Sequence, residues 1–228
     1  MPKVQSRGAR QVSSDPPRVA GEFRRRTQAE RSAATRSMLL DAAIMCLFEY
    51  GYGSTTTSKV AEKAGISRGA MLHQFPSKAD LMTFVVEETF ARDVELYRRL
   101  LTGAEAPRER LVAYPAAVWE VLSQPSGIAV LEVLQGSRSD PQLAGKLTPI
   151  LERIDAAASA QLLREFPRGP SRALRQLIVG AMHGLAMMNV MGVNDEAVRD
   201  AVPLLQTLLR AGLQTGVFDS EPDEAGLV

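Results

Sequence analysis

Apolar residues recur along the chain at intervals of three and four positions, the period expected when one face of an α-helix is buried. No segment alternates apolar and polar residues like a half-buried strand, and no Asn-Gly hairpin signal is present. The pattern predicts an all-α fold, in which a three-helix N-terminal domain precedes a larger helical domain. The predicted helices are 39–52, 57–64, 68–74 and 77–101, three that begin near Pro107, Ser126 and Pro141, and two around 174–191 and 197–213.

The segment from Thr55 to Phe75 has the pattern of two short helices joined by a tight turn. Thr56 and Ser67 are good N-caps, since each hydroxyl can accept a hydrogen bond from a free amide of the following turn. Gly65 can end the first helix in the left-handed conformation, and Pro76 prevents the second from continuing. This arrangement is a helix-turn-helix, whose second helix is shaped to enter the major groove of DNA.

Two such short helices need a third to cover them. Residues 39–52 supply an apolar stripe that stops at Gly51. The tetrapeptide Thr27-Gln28-Ala29-Glu30 has the form of a capping box, so this helix can begin there. We therefore expect a three-helix unit in the N-terminal part of the chain.

The start of the second motif helix carries the candidate chemistry. Ser67 caps the helix, and the exposed amides of that N-terminus can also bind a phosphate. Arg68 can contact guanine O6 and N7, or, with equal weight, a phosphate. Gly69 removes a side chain where helix and DNA would come close, although helix propensity alone would not select it.

The order and spacing of residues over about 36–82 resemble the DNA-binding domain of the tetracycline-repressor (TetR) family. The resemblance rests on Leu39-Leu40, Ala42-Ala43, Leu47-Phe48, Gly51-Tyr52, Thr55-Thr56, Val60-Ala61, Ala64-Gly65-Ile66-Ser67, Gly69, Phe75 and Lys78. It implies that Thr57 and Lys78 meet phosphates. The chain has Leu72, His73 and Gln74 where the family usually has a Tyr and a His, so His73 is interpreted as a partial substitute for the aromatic phosphate contact. The predicted DNA-binding residues are Thr57, Ser67, Arg68, Gly69, Leu72, His73 and Lys78.

Charge is spread unevenly along the 228 residues, although the formal net charge is only +1. Residues 1–80 carry thirteen Lys and Arg against seven Asp and Glu (+6), and the remainder carries fourteen against nineteen (−5). A basic front half suits a domain that faces phosphates. We divide the chain into a disordered basic arm (1–26), a helix-turn-helix domain (27–80), a helical effector-binding and dimerisation domain (81–216) and an acidic tail (217–228). The arm is either a solvated tail or a segment whose arginines contact the DNA backbone or minor groove.

Other classes of protein lack support in the sequence. A single cysteine, Cys46, excludes an internal disulfide framework. The chain has no His-Glu-x-x-His, no paired Cys, no Gly-rich phosphate loop and no Gly-x-Ser-x-Gly, so we predict no enzyme, no catalytic residue, no metal site and no cofactor. The N-terminus has no apolar core of a signal peptide, and the longest apolar run, 177–193, is shorter than the ~20 residues of a membrane span. A cytoplasmic protein without a membrane partner is expected.

The back half offers apolar material for a pocket and an interface. The helix from Ser77 carries a stripe of Met82, Val86, Phe90, Val94, Tyr97 and Leu101 and should connect the two domains. The helix around 174–191 is apolar on two faces, so one face needs a ligand pocket or a partner subunit. Methionine adapts to irregular shapes and suits a pocket, a core or an interface alike. The candidate pocket residues are Tyr97, Trp119, His183, Met187 and Met191.

These features predict a homodimeric transcriptional repressor, bound to a pseudo-palindromic operator in double-stranded DNA and released by a small, largely apolar effector. The resemblance implies that the effector binds in the C-terminal domain and that the last two helices form the dimer. Two alternatives stay open. One is an architectural DNA-binding protein without an effector; the other is a helical small-molecule-binding protein or enzyme with a vestigial front domain. Salt-dependent, sequence-specific operator binding would exclude the latter.

Overall fold

The computed structural model describes residues 28–104, 106–165, 172–193 and 195–218. Within these ranges the chain forms nine α-helices and no strand, as the hydrophobic pattern predicted. The basic arm (1–26), residue Thr27 of the capping box and residues 219–228 of the acidic tail lie outside the described residues. The helices are α1 (Gln28–Ser54), α2 (Thr57–Lys63), α3 (Arg68–Gln74), α4 (Lys78–Leu100), α5 (Pro107–Leu122), α6 (Pro125–Gly136), α7 (Pro141–Glu165), α8 (Arg172–Val190) and α9 (Asp195–Thr215).

Gly51 breaks α1 near its C-terminal end. Its φ of 71° and ψ of 172° lie in a region that glycine enters without a Cβ clash. Thr55 is buried just after the break, and its hydroxyl donates to the carbonyl oxygens of Gly51 (2.7 Å) and Cys46 (3.0 Å). The Gly51 carbonyl also accepts from the Thr55 amide at 3.2 Å, so the amide and the hydroxyl of Thr55 together fix the corner from which α2 departs.

Two hydrophobic clusters form the core. The first joins α1, α2, α3 and the N-terminal half of α4 to α6 and α7, and its fully buried members include Leu47, Met71 and Leu147. The second is built from α5, α8 and α9, with Leu96 and Tyr97 of α4 packed against it. Helix α4 therefore passes from one cluster into the other, as expected for a connector. The domain boundary at residue 80 stays a prediction, because the DNA-binding helices share their core with α6 and α7.

The predicted stripe on α4 is wrong at Val94, whose side chain is 51% exposed. Asp93, the preceding residue, is half-buried. The reason is geometric: a four-residue step overshoots one helical turn by about 40°, so three successive steps from Met82 leave the buried face. The inward positions of the C-terminal half of α4 are consequently occupied by polar residues as well as apolar ones.

The predicted helix starts were mostly confirmed. Ser77 and Asp80 form the expected capping box at α4, and the Asp140 carboxylate accepts from the Leu143 amide at 3.0 Å to cap α7. The prediction that Ser126 caps α6 is wrong. The N-cap is Gln124, two residues earlier, and the helix begins at Pro125, because a proline fits the first helical position, where no amide donor is required.

None of the described helices is long and apolar enough to cross a bilayer. Within the same ranges, no group of three or more His, Cys, Asp or Glu side chains could hold a metal ion.

Candidate nucleic-acid interface and effector pocket

Local hydrogen bonds set the geometry of the helix-turn-helix. Thr56 Oγ1 accepts from the Lys59 amide at 3.2 Å at the start of α2, and Ser67 Oγ accepts from the Ala70 amide at 3.2 Å at the start of α3. Gly65 has a φ of 67°, and the amide after it, of Ile66, donates to the Ala61 carbonyl at 3.0 Å. Each cap and the glycine turn lie where the sequence predicted them.

Helix α3 has one buried side and one exposed side. Met71 is fully buried, and Phe75 packs its ring 4.8 Å from that of Phe84 on α4. The opposite side presents five of the predicted DNA-binding residues, all of them exposed: Ser67, Arg68, Gly69, Leu72 and His73. Leu72 among them is 40% exposed. The structure thus leaves all five residues accessible, while Met71 holds α3 to the core.

The fold itself does not require the glycine at position 69. A Cβ added there would meet only Ser67 Oγ, at 4.0 Å. Glycine in a helix costs about 1 kcal/mol relative to alanine. Since nothing in the protein crowds this position, the space above it is consistent with close approach of a DNA strand.

The other two predicted residues, Thr57 and Lys78, are half-buried. The Lys78 ammonium donates to the Tyr52 carbonyl at 2.6 Å and lies 3.8 Å from the centroid of the Tyr52 ring. Burial lowers the pKa of Lys78. Lys78 is therefore already engaged with α1. Lys59, which sequence reasoning did not select, is exposed on α2, its ammonium 5.1 Å from the ring of exposed Tyr50.

A polar junction at Tyr52 ties the corner between α1 and α2 to α6 and α7. The Tyr52 amide donates to Glu132 Oε2 at 2.8 Å, and its hydroxyl donates to Asp140 Oδ2 at 2.6 Å. This hydrogen bond helps to lower the pKa of Asp140 and, together with burial, raises the pKa of Tyr52. A Cβ on Gly136 would overlap the Tyr52 ring. Residue spacing gives no signal for this junction, because Glu132 and Asp140 lie 80 and 88 residues from Tyr52 along the chain.

The candidate pocket residues are only partly brought together. Tyr97 and Trp119 both pack against the second cluster. His183 is half-buried, its Nε2 atom has no hydrogen-bond partner among the described residues, and burial lowers its pKa. Met187 is half-buried, whereas Met191 is 66% exposed, and neither belongs to that cluster.

A separate open groove of about 390 Å³ lies between α5 and α9. It is lined by Arg108, Val112, Gln206, Arg210 and Leu213, among others, and by none of the predicted pocket residues.

The last two helices carry exposed apolar residues. On α8, Ile178 and Met182 face the second cluster, whereas Leu177 is 65% exposed and Gly180, Ala181 and Gly184 are exposed as well. On α9, Leu204 and Leu208 are each 59% exposed. The structure thus shows which face of α8 packs against the protein core and which face is exposed. Sequence periodicity alone did not distinguish the two faces.

Comparison with known proteins places these features in context. The profile of bacterial regulatory proteins of the tetR family matches residues 39–83, from the middle of α1 to the start of α4. An uncharacterised HTH-type transcriptional regulator of Mycobacterium bovis, Mb2936c, is 25% identical over 193 residues, which cover 82% of this chain and 99% of that protein. The HTH-type transcriptional repressor AcnR of Corynebacterium efficiens is 26% identical over 188 residues, covering 79% and 95%.

The fold is also shared with solved structures. The transcriptional regulator FadR of Bacillus subtilis, determined in complex with stearoyl-CoA, superposes with a TM-score of 0.59 at 22% identity, covering 77% of this chain and 98% of that one. The similarity extends well beyond the helix-turn-helix and includes the helical domain that follows it.

Proposed function

We propose that this chain, a tetR-family transcriptional regulator whose family profile matches residues 39–83, is a homodimeric repressor that a small, largely apolar effector releases from its operator. The matched family and the named relatives are regulators of transcription, so an enzyme with a vestigial front domain finds no support. The proposed partners are double-stranded operator DNA, the effector and a second copy of the chain, in the cytoplasm and without a cofactor.

The observation that carries the proposal is the exposed side of α3. Ser67 caps the helix, Met71 anchors it, and the outer side presents a guanidinium, a glycine, a leucine and an imidazole. A helix N-terminus with these groups can contact base edges and phosphates in a major groove. We assign base or phosphate contacts to Arg68 and His73, close approach to Gly69, and an apolar contact with a thymine methyl to Leu72. Ser67, Thr57 and Lys78 complete the proposed phosphate contacts.

To contact a phosphate, Lys78 would either have to break its hydrogen bond to the Tyr52 carbonyl or donate a second hydrogen of its ammonium group to the phosphate. Lysine has three donor hydrogens, so one bond to the Tyr52 carbonyl leaves others for a phosphate. The second arrangement needs no movement of the protein, and it would tie the operator directly to the junction at Tyr52.

Dimerisation supplies the two α3 helices that a pseudo-palindromic operator requires. We place the interface on the outer faces of α8 and α9, where Leu177, Leu204 and Leu208 are largely exposed in one chain. Four such helices about a two-fold axis form a bundle. The half-sites read by the two copies of α3 should then lie about one helical turn, ~34–36 Å, apart.

Release by the effector follows from the course of α4. This helix of 23 residues is about 35 Å long, and about 28 Å of it separates Lys78, beside the DNA-binding helices, from Tyr97 in the second cluster. A ligand inserted between α4 and its neighbours would displace the helix and alter the separation of the two α3 helices. Coupling is reciprocal, so operator DNA must weaken effector binding by the same factor. Tyr97, Trp119 and His183 are the proposed pocket residues, with Met187 and Met191 nearer the C-terminal end of α8.

Selection of bound sequences from random double-stranded DNA tests the proposal. We expect enrichment of an inverted repeat whose half-sites are about one helical turn apart. Binding to the enriched sequence should weaken linearly in log–log form with salt, as phosphate neutralisation requires. Enrichment of no sequence would favour the architectural alternative, and a direct repeat or single half-site would overturn the dimer geometry.

A further inference from the structure

The C-terminal half of α4 turns two polar side chains towards the protein interior. Thr89 and Asp93 are one turn apart, so their side chains leave the helix only about 40° from each other. They continue the face that Met82 and Val86 bury in the first cluster. Thr89 is 1% exposed and Asp93 is half-buried. Tyr97 follows one turn later and packs against the second cluster.

Neither polar group has a protein partner in the part of the chain that is described. Thr89 Oγ1 is buried without a hydrogen bond, and the Asp93 carboxylate makes no hydrogen bond or salt bridge there. Arg92, its neighbour in sequence, is directed to α1, where it pairs with Asp41 at 2.9 Å. Burial raises the pKa of Asp93 to about 7. Polar groups in protein interiors are almost always hydrogen-bonded, so the buried Thr89 hydroxyl calls for a partner of another kind, and the half-buried Asp93 carboxylate one turn away can bind the same partner.

Aromatic rings stand beside these groups. The rings of Tyr97 and Tyr114 have their centroids 6.3 Å apart and are tilted by 39°. Asp93 and Tyr97 are one turn apart on α4, so their side chains leave the helix only about 40° from each other. Burial, then the neighbouring Tyr114 and Asp93, raise the pKa of Tyr97. The face of an aromatic ring carries partial negative charge and attracts cations, most strongly where water is excluded.

We infer that the effector is an organic cation, an ammonium group on an apolar or aromatic body, whose charge is held by Asp93 between Thr89 and the Tyr97–Tyr114 pair. A positive charge is the partner that this half-buried carboxylate lacks, and tyrosine faces and hydroxyls stabilise the same charge. An anionic effector would instead be repelled by Asp93. The inference rests on the proposed effector-responsive function and refines it from a largely apolar ligand to one with a single cationic group.

Two isosteric compounds separate charge from shape. Benzyltrimethylammonium and neopentylbenzene differ only in a quaternary nitrogen in place of a quaternary carbon, and phenylacetate serves as the anionic counterpart. Calorimetric titration of the full-length chain should give affinity for the cation about ten-fold or more above that for the neutral isostere. Phenylacetate should bind more weakly than either.

Variants of α4 assign this preference to Asp93. Asp93→Asn should remove the about ten-fold preference for the cation and leave binding of the neutral isostere unchanged. Glu95→Gln, which removes an exposed carboxylate two residues further on, should leave both affinities unchanged. Thr89→Val is a second, nearly isosteric variant that should weaken cation binding by a smaller factor. Circular dichroism and operator binding of each variant report whether it is folded.

Three results would overturn the inference. These are equal binding of the cation and its neutral isostere, unchanged cation binding in folded Asp93→Asn, and no binding of any probe. In the last case Asp93 is simply hydrated or protonated. Operator binding is measured separately on the same preparations. Absence of operator binding would reject the proposed function. Operator binding together with any of the three results above would reject only the cationic class of effector.

Discussion

Arg68 is the residue on which recognition should depend most directly. Its backbone is held at the first position of α3 by the Ser67 cap, and its side chain is exposed and makes no ion pair with any described residue. A guanidinium in that position is free to take two acceptors of a guanine or the oxygens of a phosphate.

We expect Arg68→Ala to weaken operator binding by about 1–3 kcal/mol without changing the melting temperature. Fluorescence anisotropy with the selected operator and with point-substituted operators measures the effect. Relaxed discrimination at a single base pair would identify a base contact, and equal weakening on all sequences a phosphate contact. Arg108→Ala, which removes an equally exposed guanidinium from α5, is the matched control. Wild-type affinity in Arg68→Ala would remove Arg68 from the interface.

The raised pKa of Asp93 predicts how the stability of the folded chain depends on pH. Its pKa is raised to about 7 in the folded chain, whereas an unfolded chain ionises it near pH 3.9. Ionisation therefore favours unfolding: the penalty is absent at low pH, grows between about pH 4 and pH 7, and is constant above. Asparagine does not titrate and avoids this penalty.

Asp93→Asn should accordingly melt at nearly the wild-type temperature at pH 4 and about 3–6 °C higher at pH 8. Scanning calorimetry at both pH values measures the difference. Glu95→Gln should show no such gain, because Arg98 lowers the pKa of Glu95 and its ionised form is the stable one. Equal melting of Asp93→Asn and wild type at pH 8 would mean that Asp93 is ionised in the folded chain at no cost.

At the scale of elements, the junction at Tyr52 joins the DNA-binding helices to the helical domain. The corner after α1 is bonded to the C-terminal half of α6 through Glu132 and to the start of α7 through Asp140. Lys78, the first residue of α4, bonds the same corner. Movement of α4, α6 or α7 would therefore reach α2 and α3 through Tyr52, and operator binding would reach α6 and α7 by the same route.

Tyr52→Phe removes one hydroxyl and keeps the ring that packs on Gly136. We expect a melting temperature about 2–4 °C lower at pH 7, the shift that loss of one hydrogen bond gives in a chain of this length. The Tyr52 hydrogen bond lowers the pKa of Asp140, so its contribution is present above the ordinary aspartate pKa and is lost as the pH falls below it. The difference between the variant and wild type should therefore shrink towards pH 3.

Hydrogen exchange distinguishes a junction from an ordinary hydrogen bond. Tyr52→Phe should raise exchange at the amides of residues 140–144, where Asp140 caps α7, as well as around residue 52. Tyr50→Phe, which alters an exposed tyrosine of the same helix, is the control. Faster exchange confined to α1 would show that the junction does not connect the two parts.

At the scale of the whole molecule, the outer faces of α8 and α9 need cover. Leu177, Leu204 and Leu208 are more than half exposed in the single chain, and monomeric proteins rarely leave large contiguous apolar surface uncovered. The glycines at 180 and 184 have open space where a side chain would stand, which permits another helix to approach closely.

Gly184→Glu should therefore dissociate the dimer. A two-fold axis buries the new charge twice, so the dimer dissociation constant should rise on the order of 100-fold, with a parallel loss of operator affinity. Analytical ultracentrifugation at micromolar concentration measures it. Gly145→Glu on α7 is the matched control, because Gly145 is also an exposed helical glycine with nothing within 4 Å. Ala181→Glu tests the adjoining row, and persistence of folded dimers in both α8 variants would reject this interface.

The sequence alone determined the helices and the motif, because the interactions that set them are local. The Thr56 and Ser67 caps and the Gly65 turn act within four residues, and an apolar period reports burial of a helix face. The residues exposed on α3 followed from the same short-range pattern. Local rules failed at α6, where the predicted cap Ser126 lies inside a helix that begins at Pro125, because two starting signals stand at adjacent residues.

Only the tertiary structure decided what each face meets. It showed that Asp93 is half-buried and that Val94 is exposed. Which residues of a long helix face the core depends on the elements packed against both of its ends. It joined Tyr52 to Asp140 across 88 residues of chain, and it showed which face of α8 the protein itself covers. Contacts between distant segments depend on how helices pack in three dimensions, and residue spacing along one chain carries no record of that packing.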